Sequence, residues 1–202
     1  MELKPMKSQE LEQLYEKELA VDFPPSELKP LRAMLRMMDQ GIYEALLVQE
    51  DGETLGYALV WLSPDRTGGL VDYLGVLRGK RNGGLGGRIL ELLAARYGQI
   101  CGEAEAPDTG DAAVDDLRRR RIGFYERNGL RVLDYECALF GVHYNCLYRG
   151  PEQDDRKVEK LHRSVYESYF SPEHLAQCIQ LPLRPGEAVK PAPVWTGEDV
   201  FP

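Results

Sequence analysis

A turn rich in glycine and arginine, residues 76–88, is the segment of this chain best suited to bind an anion. It reads VLRGKRNGGLGGR, and its flanks predict a strand before it and a helix after it. Glycines let a backbone turn sharply and approach a ligand closely. The N-terminus of a helix offers unpaired N–H groups at the positive end of the helix dipole. Together with the neighbouring bases, these features predict a pyrophosphate site.

Two common phosphate-binding patterns do not describe this turn. A Walker loop needs GxxxxGK followed by Ser or Thr, but the spacing from Gly75 to Gly79 is one residue short and Arg81 holds the hydroxyl position. A dinucleotide-binding fingerprint needs a third glycine where Ile89 stands. The pattern Arg-x-x-Gly-x-Gly, in contrast, is matched by residues 81–86.

Two glutamates two positions apart, Glu103 and Glu105, could supply acid–base chemistry. They lie on a predicted strand, residues 100–105, and therefore share one of its faces. Burial or mutual repulsion would raise the pKa of one carboxyl toward neutrality. Asp72 is an alternative proton acceptor, and a solvated pair at a sheet edge is an equally good interpretation of the two glutamates.

Charge and composition narrow the classes of function. The net charge of −8 on 202 residues argues against a general nucleic-acid-binding surface. The bases gather in two islands: residues 73–90 carry four bases and no acid, and residues 118–131 carry six arginines and one acid. These islands favour a small anionic ligand, and acidic acceptors are a reasonable first expectation. The four cysteines and three histidines show no metal-ligand spacing, so no metal is predicted.

The sequence also bears on the cellular compartment. No apolar run reaches about 18 residues, so a membrane span is not expected. The first ten residues, MELKPMKSQE, lack the apolar core of a signal peptide. We therefore expect a cytoplasmic protein whose cysteines are free thiols.

Hydrophobic periodicity and turn signals predict the elements that must position these residues. The predicted helices cover residues 9–20, 31–38, 84–97, 114–128 and 154–170, and the predicted strands cover residues 43–49, 54–61, 70–76, 100–105, 131–139 and 142–149. This order predicts an α+β (mixed α/β) fold with one parallel step, between the third and fourth strands. Residues 1–170 would form this domain. Since five of the thirteen prolines follow Leu181, residues 171–202 are predicted to be a proline-rich C-terminal extension.

Two motifs together resemble the signature of the GNAT superfamily of N-acetyltransferases. The first is Arg-x-x-Gly-x-Gly at residues 81–86, between a strand that ends in Val76 and an amphipathic helix. The second is FYERNGL at residues 124–130, which is similar to the family's FYxxxGF segment. The chain is most similar to small bacterial members that carry a Glu-x-Glu strand. The resemblance covers residues 1–150 and implies a central, mostly antiparallel twisted sheet flanked by helices.

The resemblance implies that acetyl-CoA binds at the glycine-rich turn as a cosubstrate. In the family, backbone N–H groups of this turn bind the pyrophosphate. The matching residues here are Asn82, Gly83, Gly84, Leu85, Gly86 and Gly87. Arg81 would add positive charge. Family members also splay the preceding strand from its neighbour, and pantetheine amides pair with its backbone at positions that match Leu74 and Val76.

The resemblance further implies catalytic roles. Tyr125 matches the general acid that protonates the departing thiolate, and Glu103, with Glu105 beside it, matches a carboxylate that some members use as the base. The sequence departs from the family pattern in three places, one of which is a long intervening loop at residues 106–112. Arg118 stands where asparagine is common, and Arg121 stands where a small residue is common. These departures leave the pantetheine contacts and the substrate class open.

The expected function is therefore direct transfer of an acetyl group from acetyl-CoA to an amine on a small molecule or peptide. No metal, nucleic acid or membrane partner is expected, and the oligomeric state, monomer or homodimer, stays open. The alternative is a non-catalytic acyl-CoA-binding or regulatory module that keeps the turn. Further residues that could line an acceptor site are Phe23, Glu27, Arg32 and His143.

Overall fold

An eight-stranded sheet forms the centre of the protein in the computed structural model, which describes residues 1–25, 27–81, 83–184 and 186–192. The strands are β1 (Glu2–Pro5), β2 (Tyr43–Glu50), β3 (Glu53–Leu62), β4 (Gly69–Val76), β5 (Ile100–Glu105), β6 (Arg131–Leu139), β7 (Val142–Arg149) and β8 (Ile179–Leu183). Their order is β1-β2-β3-β4-β5-β7-β6-β8, and only the β4–β5 pair is parallel. The predicted mixed α/β fold with one parallel step is confirmed.

Helices cover both faces of this sheet. They are α1 (Ser8–Leu14), a π-helical turn (Tyr15–Leu19), α2 (Ala20–Asp22), α3 (Leu31–Asp39), α4 (Leu85–Tyr97), α5 (Ala112–Arg127), α6 (Asp155–Glu167) and α7 (Pro172–Cys178). Residues of α1, α3 and α6 join the core cluster that contains Trp61 of β3, whereas α4 joins the cluster of Val60. Because successive strand residues point to opposite faces of the sheet, Val60 and Trp61 of β3 pack into the two hydrophobic clusters on its two sides.

The chain beyond residue 170 contributes α7 and β8, neither of which the sequence predicts. β8 pairs antiparallel with β6 and lies at the edge of the sheet. Pro182 occupies this strand, which is tolerated because an edge strand needs ladder hydrogen bonds on one side only. A five-residue strand containing proline is too short for a periodic signal. The expected extension thus begins with regular structure, and the division of the chain at residue 170 stays a prediction.

The parallel strands β4 and β5 pair only at their N-terminal ends. Their register joins residues 69–71 to residues 100–102 and continues no further in the described chain. In the register between β3 and β4, Asp72 is an extra residue on β4, which makes a β-bulge. The C-terminal halves of β4 and β5 therefore separate. This separation is the splayed strand that the sequence resemblance implies, with Leu74 and Val76 at its open edge.

Candidate functional site

A cavity of about 580 Å³ lies where the ends of β4 and β5 separate. The glycine-rich turn, α5, α6, the loop between α2 and α3, and the turn between β6 and β7 also contribute to its walls. The site residues predicted from the sequence that line it are Leu74, Val76, Arg81, Gly84, Leu85, Gly86, Glu103, Glu105 and Tyr125. Gly83 and Gly87 belong to the same turn but do not line the cavity, and Asn82 lies outside the described residues. The fold thus gathers candidates that are far apart in sequence.

The turn enters α4 in a conformation that favours glycine. Gly83 and Gly84 have φ angles of +78° and +75°, in the left-handed region. Gly84 is the N-cap of α4, and no side chain of the described residues caps the helix there. The first N–H groups of a helix have no partner within it, so this end of α4 presents free donors to a ligand. It therefore suits a phosphate group.

Two further glycines bring α5 against the start of α4. A Cβ atom on Gly86 would lie 2.9 Å from the Phe124 ring, and one on Gly87 would lie 2.2 Å from Oδ1 of Asn128. The Asn128 side chain is itself held by a hydrogen bond of 2.7 Å from Nδ2 to the carbonyl oxygen of Phe124. This close packing places α5, which carries Tyr125, directly beside the turn.

Acidic side chains pair with the bases of the turn. Arg81 donates through Nη2 to Oδ2 of Asp22 at 2.5 Å and through Nε to the carbonyl oxygen of Val76 at 3.1 Å. Arg78 also contacts Asp22, at 3.3 Å. The pair between Arg81 and Asp22 joins α2 to the turn across the cavity rim. An anion that binds Arg81 must compete with Asp22.

Glu103 is an anion fixed inside the protein. Its side chain is 10% exposed, and its Oε1 lies 2.8 Å from Nε2 of His162. The hydroxyl group of Tyr166, also on α6, donates a hydrogen bond of 2.7 Å to Oε1 of Glu103. Burial opposes the charge of Glu103, but these hydrogen bonds and the charge of His162 hold its pKa below the ordinary value. The sequence-based expectation of a pKa raised by burial or repulsion is therefore wrong for this residue, because α6 supplies a partner.

His162 is the cationic partner of Glu103. It is completely buried, and burial by itself would lower its pKa. Hydrogen bonds with Cys146 and Glu103, and the charges of those groups, outweigh burial and raise the pKa of His162 to about 10. Neither His162 nor Tyr166 is identifiable from the sequence, because both lie about 60 residues from Glu103, on α6.

The alternative carboxylate, Asp72, fixes the loop between α2 and α3. Its two oxygens accept hydrogen bonds of 2.5 Å each, one from Nζ of Lys29 and one from the Tyr43 hydroxyl. The neighbouring Tyr73 hydroxyl accepts from the Lys29 amide and donates to the Glu27 carbonyl oxygen, both at 2.8 Å. These contacts anchor the loop to β4 and hold Glu27 at the cavity wall.

Glu27 and Glu105 bring two carboxyl groups into contact inside the cavity. Glu105 is buried and forms an ion pair with Arg121 of α5. Burial, followed by the charge and hydrogen bond of Glu105, raises the pKa of Glu27 to about 7, while Arg121 and Arg118 oppose this shift. From the sequence, Glu27 is only one of several residues that could line an acceptor site. Phe23 also lines the cavity, but Arg32 and His143 are not among its lining residues.

Tyr125 lies at the junction of the turn and the carboxyl groups. Its half-buried side chain lines the cavity and packs edge-on against Phe124, with ring centroids 5.3 Å apart. Burial raises the pKa of Tyr125, while nearby Arg121 lowers it and Glu105 raises it further. Tyr125 therefore keeps its hydroxyl proton at neutral pH and can donate it.

No cluster of three or more His, Cys, Asp or Glu side chains among the described residues is arranged to hold a metal ion. No helix within the described ranges combines the length and apolar character needed to cross a bilayer.

Comparison with known proteins agrees with this geometry. The model of the acetyltransferase (GNAT) family matches residues 8–130. No curated protein matches the chain. Among solved structures, a GNAT-family protein from Bacteroides thetaiotaomicron has a TM-score of 0.67 and 20% identity, covering 82% of this chain and 96% of that one.

Two further solved structures share the fold at lower similarity. The aminoglycoside 6'-N-acetyltransferase of Enterococcus faecium has a TM-score of 0.53 and 17% identity, covering 76% of this chain and 100% of that one. A GNAT-like decarboxylase in complex with isobutyryl-CoA has a TM-score of 0.56 and 14% identity, covering 74% of this chain and 99% of that one. At these identities the likeness concerns the fold.

Proposed function

The chain belongs to the acetyltransferase (GNAT) family, and we propose that it transfers an acetyl group from acetyl-CoA to an amine on a small molecule or peptide. One observation carries this proposal: a single cavity joins a helix N-terminus that no described side chain caps, an open strand edge, a tyrosine hydroxyl and several carboxyl groups. The fold shared with an aminoglycoside 6'-N-acetyltransferase supports an amine as the acceptor.

The cavity fits acetyl-CoA at two places. The uncapped N-terminus of α4, with Arg81 at the cavity rim, offers donors and positive charge to the pyrophosphate. The open edge of β4 at Leu74 and Val76 offers backbone groups to the pantetheine amides, as an added strand would use them. We propose that these residues hold acetyl-CoA, which supplies an activated thioester.

Tyr125 supplies the proton that the departing sulfur of CoA needs. When the acceptor nitrogen bonds to the acetyl carbon, the carbon–sulfur bond breaks and its electron pair stays on sulfur. Tyr125 holds a proton at neutral pH because the ordinary pKa of tyrosine is 10 and burial raises that of Tyr125, and its side chain lines the same cavity, so it can protonate that sulfur. The buried carboxyl groups nearby receive the proton that the amine loses.

A thiol-release assay tests the proposed function. The protein is incubated with acetyl-CoA and a panel of amines that differ in charge, and free CoA thiol and acetylated product are both measured. We expect release that depends on the amine and matches product formation one to one. Binding of acetyl-CoA without release for every amine would favour the alternative, a non-catalytic acyl-CoA-binding module.

Arg81→Glu is expected to weaken acetyl-CoA binding by at least about tenfold, since a hydrogen bond to a charged group is lost and a repulsive charge is added. Lys80→Glu is the matched control, because Lys80 lies in the same turn but pairs with Glu53 and does not line the cavity. We expect the control to change affinity less than about threefold at physiological salt, where exposed charges are screened. Titration calorimetry at two salt concentrations measures both variants. Equal losses would contradict the placement of the pyrophosphate beside Arg81.

A further inference from the structure

The carboxyl groups that line the cavity differ in their hydrogen-bond and ion-pair partners. Glu103 accepts hydrogen bonds from His162 and Tyr166, and both oxygens of Asp72 are occupied by Lys29 and Tyr43. A carboxylate that is already held by cations and donors is a weak proton acceptor, because those partners stabilise its charged form. Of the three carboxyl groups that the sequence suggests as proton acceptors, Glu103 and Asp72 are therefore poorly suited to take a proton from an amine.

Glu27 differs from Glu103 and Asp72, because its neighbour is another carboxyl group. Its carboxyl group lines the same cavity as that of Glu105, which acts on it by charge and hydrogen bonding, and the hydrogen bonds of Tyr73 fix the backbone of its loop. Arg121 forms its ion pair with Glu105. Two like charges in contact favour a proton on one of them, and Glu27 is the member of the pair without that ion pair.

We propose that Glu27, held against Glu105 by the loop between α2 and α3, removes the proton from the acceptor, which therefore binds as a basic amine in its ammonium form. This inference rests on the proposed function. It replaces the expectation of acidic acceptors, because the bases of the turn already pair with Asp22, Glu53 and Glu50. Of the cavity's other cations, Lys29 pairs with Asp72 and Arg121 with Glu105, whereas Glu27 adds a further carboxyl group to the lining.

The step balances in protons and electrons. The ammonium gives one proton to Glu27, and the nitrogen lone pair forms the bond to the acetyl carbon. The carbon–sulfur bond breaks with its electron pair on sulfur, which takes the proton of Tyr125. The nitrogen, which is positively charged once its bond to the acetyl carbon has formed, loses its second proton and so restores that of Tyr125. Over the cycle, Glu27 releases one proton to solvent, the net proton produced when an ammonium is acetylated.

The expected pH dependence follows from the groups around Glu27. The charged and titratable groups around Glu27 include Glu105 on β5, Arg118 and Arg121 on α5, Tyr144 on β7, and Tyr73 on β4, whose hydroxyl donates to the Glu27 carbonyl oxygen. Because Glu27 must be ionised to accept a proton, kcat/KM for the acceptor should rise with pH and level off above about 7, the pKa of Glu27.

Glu27→Gln tests the proposal once the wild-type protein shows thiol release that depends on an amine. We expect kcat/KM to fall by about 10²-fold or more and the inflection near neutrality to disappear. The loss should be largest for strongly basic amines and smaller for weakly basic amines that are already neutral at pH 7. Glu12→Gln, an exposed change of the same type on α1, is expected to keep the wild-type rate and profile.

Glu27→Asp and a stability measurement separate chemistry from folding. Glu27→Asp keeps a carboxyl group and should keep an inflection while losing part of the rate. The half-buried Glu27 carboxyl, whose pKa is raised from 4.5 to about 7, makes the folded protein less stable as pH rises between these two values. The melting temperature of Glu27→Gln should therefore gain on that of wild type over this pH range and keep the gain at higher pH.

Two outcomes would overturn the proposal. One is a Glu27→Gln variant that keeps the inflection and a rate within about threefold of wild type. The other is a loss of rate that is equal for strongly and weakly basic amines, which indicates a structural role for Glu27. Absence of any amine-dependent thiol release in the wild-type protein would instead refute the proposed function itself.

Discussion

Tyr125→Phe is expected to lower kcat by about 10²- to 10⁴-fold, the range for loss of a positioned proton donor. The departing thiolate would have to leave unprotonated or take its proton from water. The phenyl ring keeps the packing against Phe124, so acetyl-CoA affinity and the melting temperature should change little. Steady-state kinetics and titration calorimetry on the same preparation measure the two effects.

The control for Tyr125→Phe is Tyr97→Phe. Tyr97 lies on α4, and its hydroxyl donates to Glu44 at 2.5 Å outside the cavity lining. Removing this hydroxyl deletes its hydrogen bonds with Glu44 and Arg96, but it touches no group of the proposed chemistry, so kcat should stay within about threefold of wild type. If Tyr125→Phe is as active as Tyr97→Phe, Tyr125 is not the proton donor.

His162→Ala is expected to lower the free energy of unfolding at pH 6 by about 3–5 kcal/mol, because it leaves Glu103 charged and buried without its cation. His162 is completely buried, and Glu103 is 10% exposed, so water can replace little of the lost interaction. Urea denaturation followed by circular dichroism measures the change. A loss below about 1 kcal/mol would show that the two residues are not an ion pair.

The double variant His162→Gln with Glu103→Gln is the control for buried charge. Removing both charges together should recover much of the stability lost in His162→Ala, because no unpaired ion remains inside the protein. The pH dependence gives a second check on the wild type. The contribution of His162 is complete below pH 6.5 and is lost as pH rises toward about 10, and that of Glu103 is lost as pH falls below its ordinary pKa of 4.5.

Local signals in the chain predict most of the central fold. Alternating apolar residues and the Asp51-Gly52 turn predict the hairpin of β2 and β3, and the order of elements predicts the single parallel step between β4 and β5. The edge strands β1 and β8 are missed. Each has five residues or fewer and contains a proline, so neither carries a periodic pattern that marks it as a strand.

The sequence by itself determined the glycine-rich turn and the helix that carries Tyr125, because both depend on residues close together in the chain. Only the tertiary structure decided which carboxyl groups have donors or cations as partners and which one is suited to accept a proton. A loop anchored on β4 brings Glu27 close to Glu105, which is far away in the sequence. In the same way, α6 brings His162 to Glu103. A pKa depends on such partners and on burial, and neither is a property of local sequence.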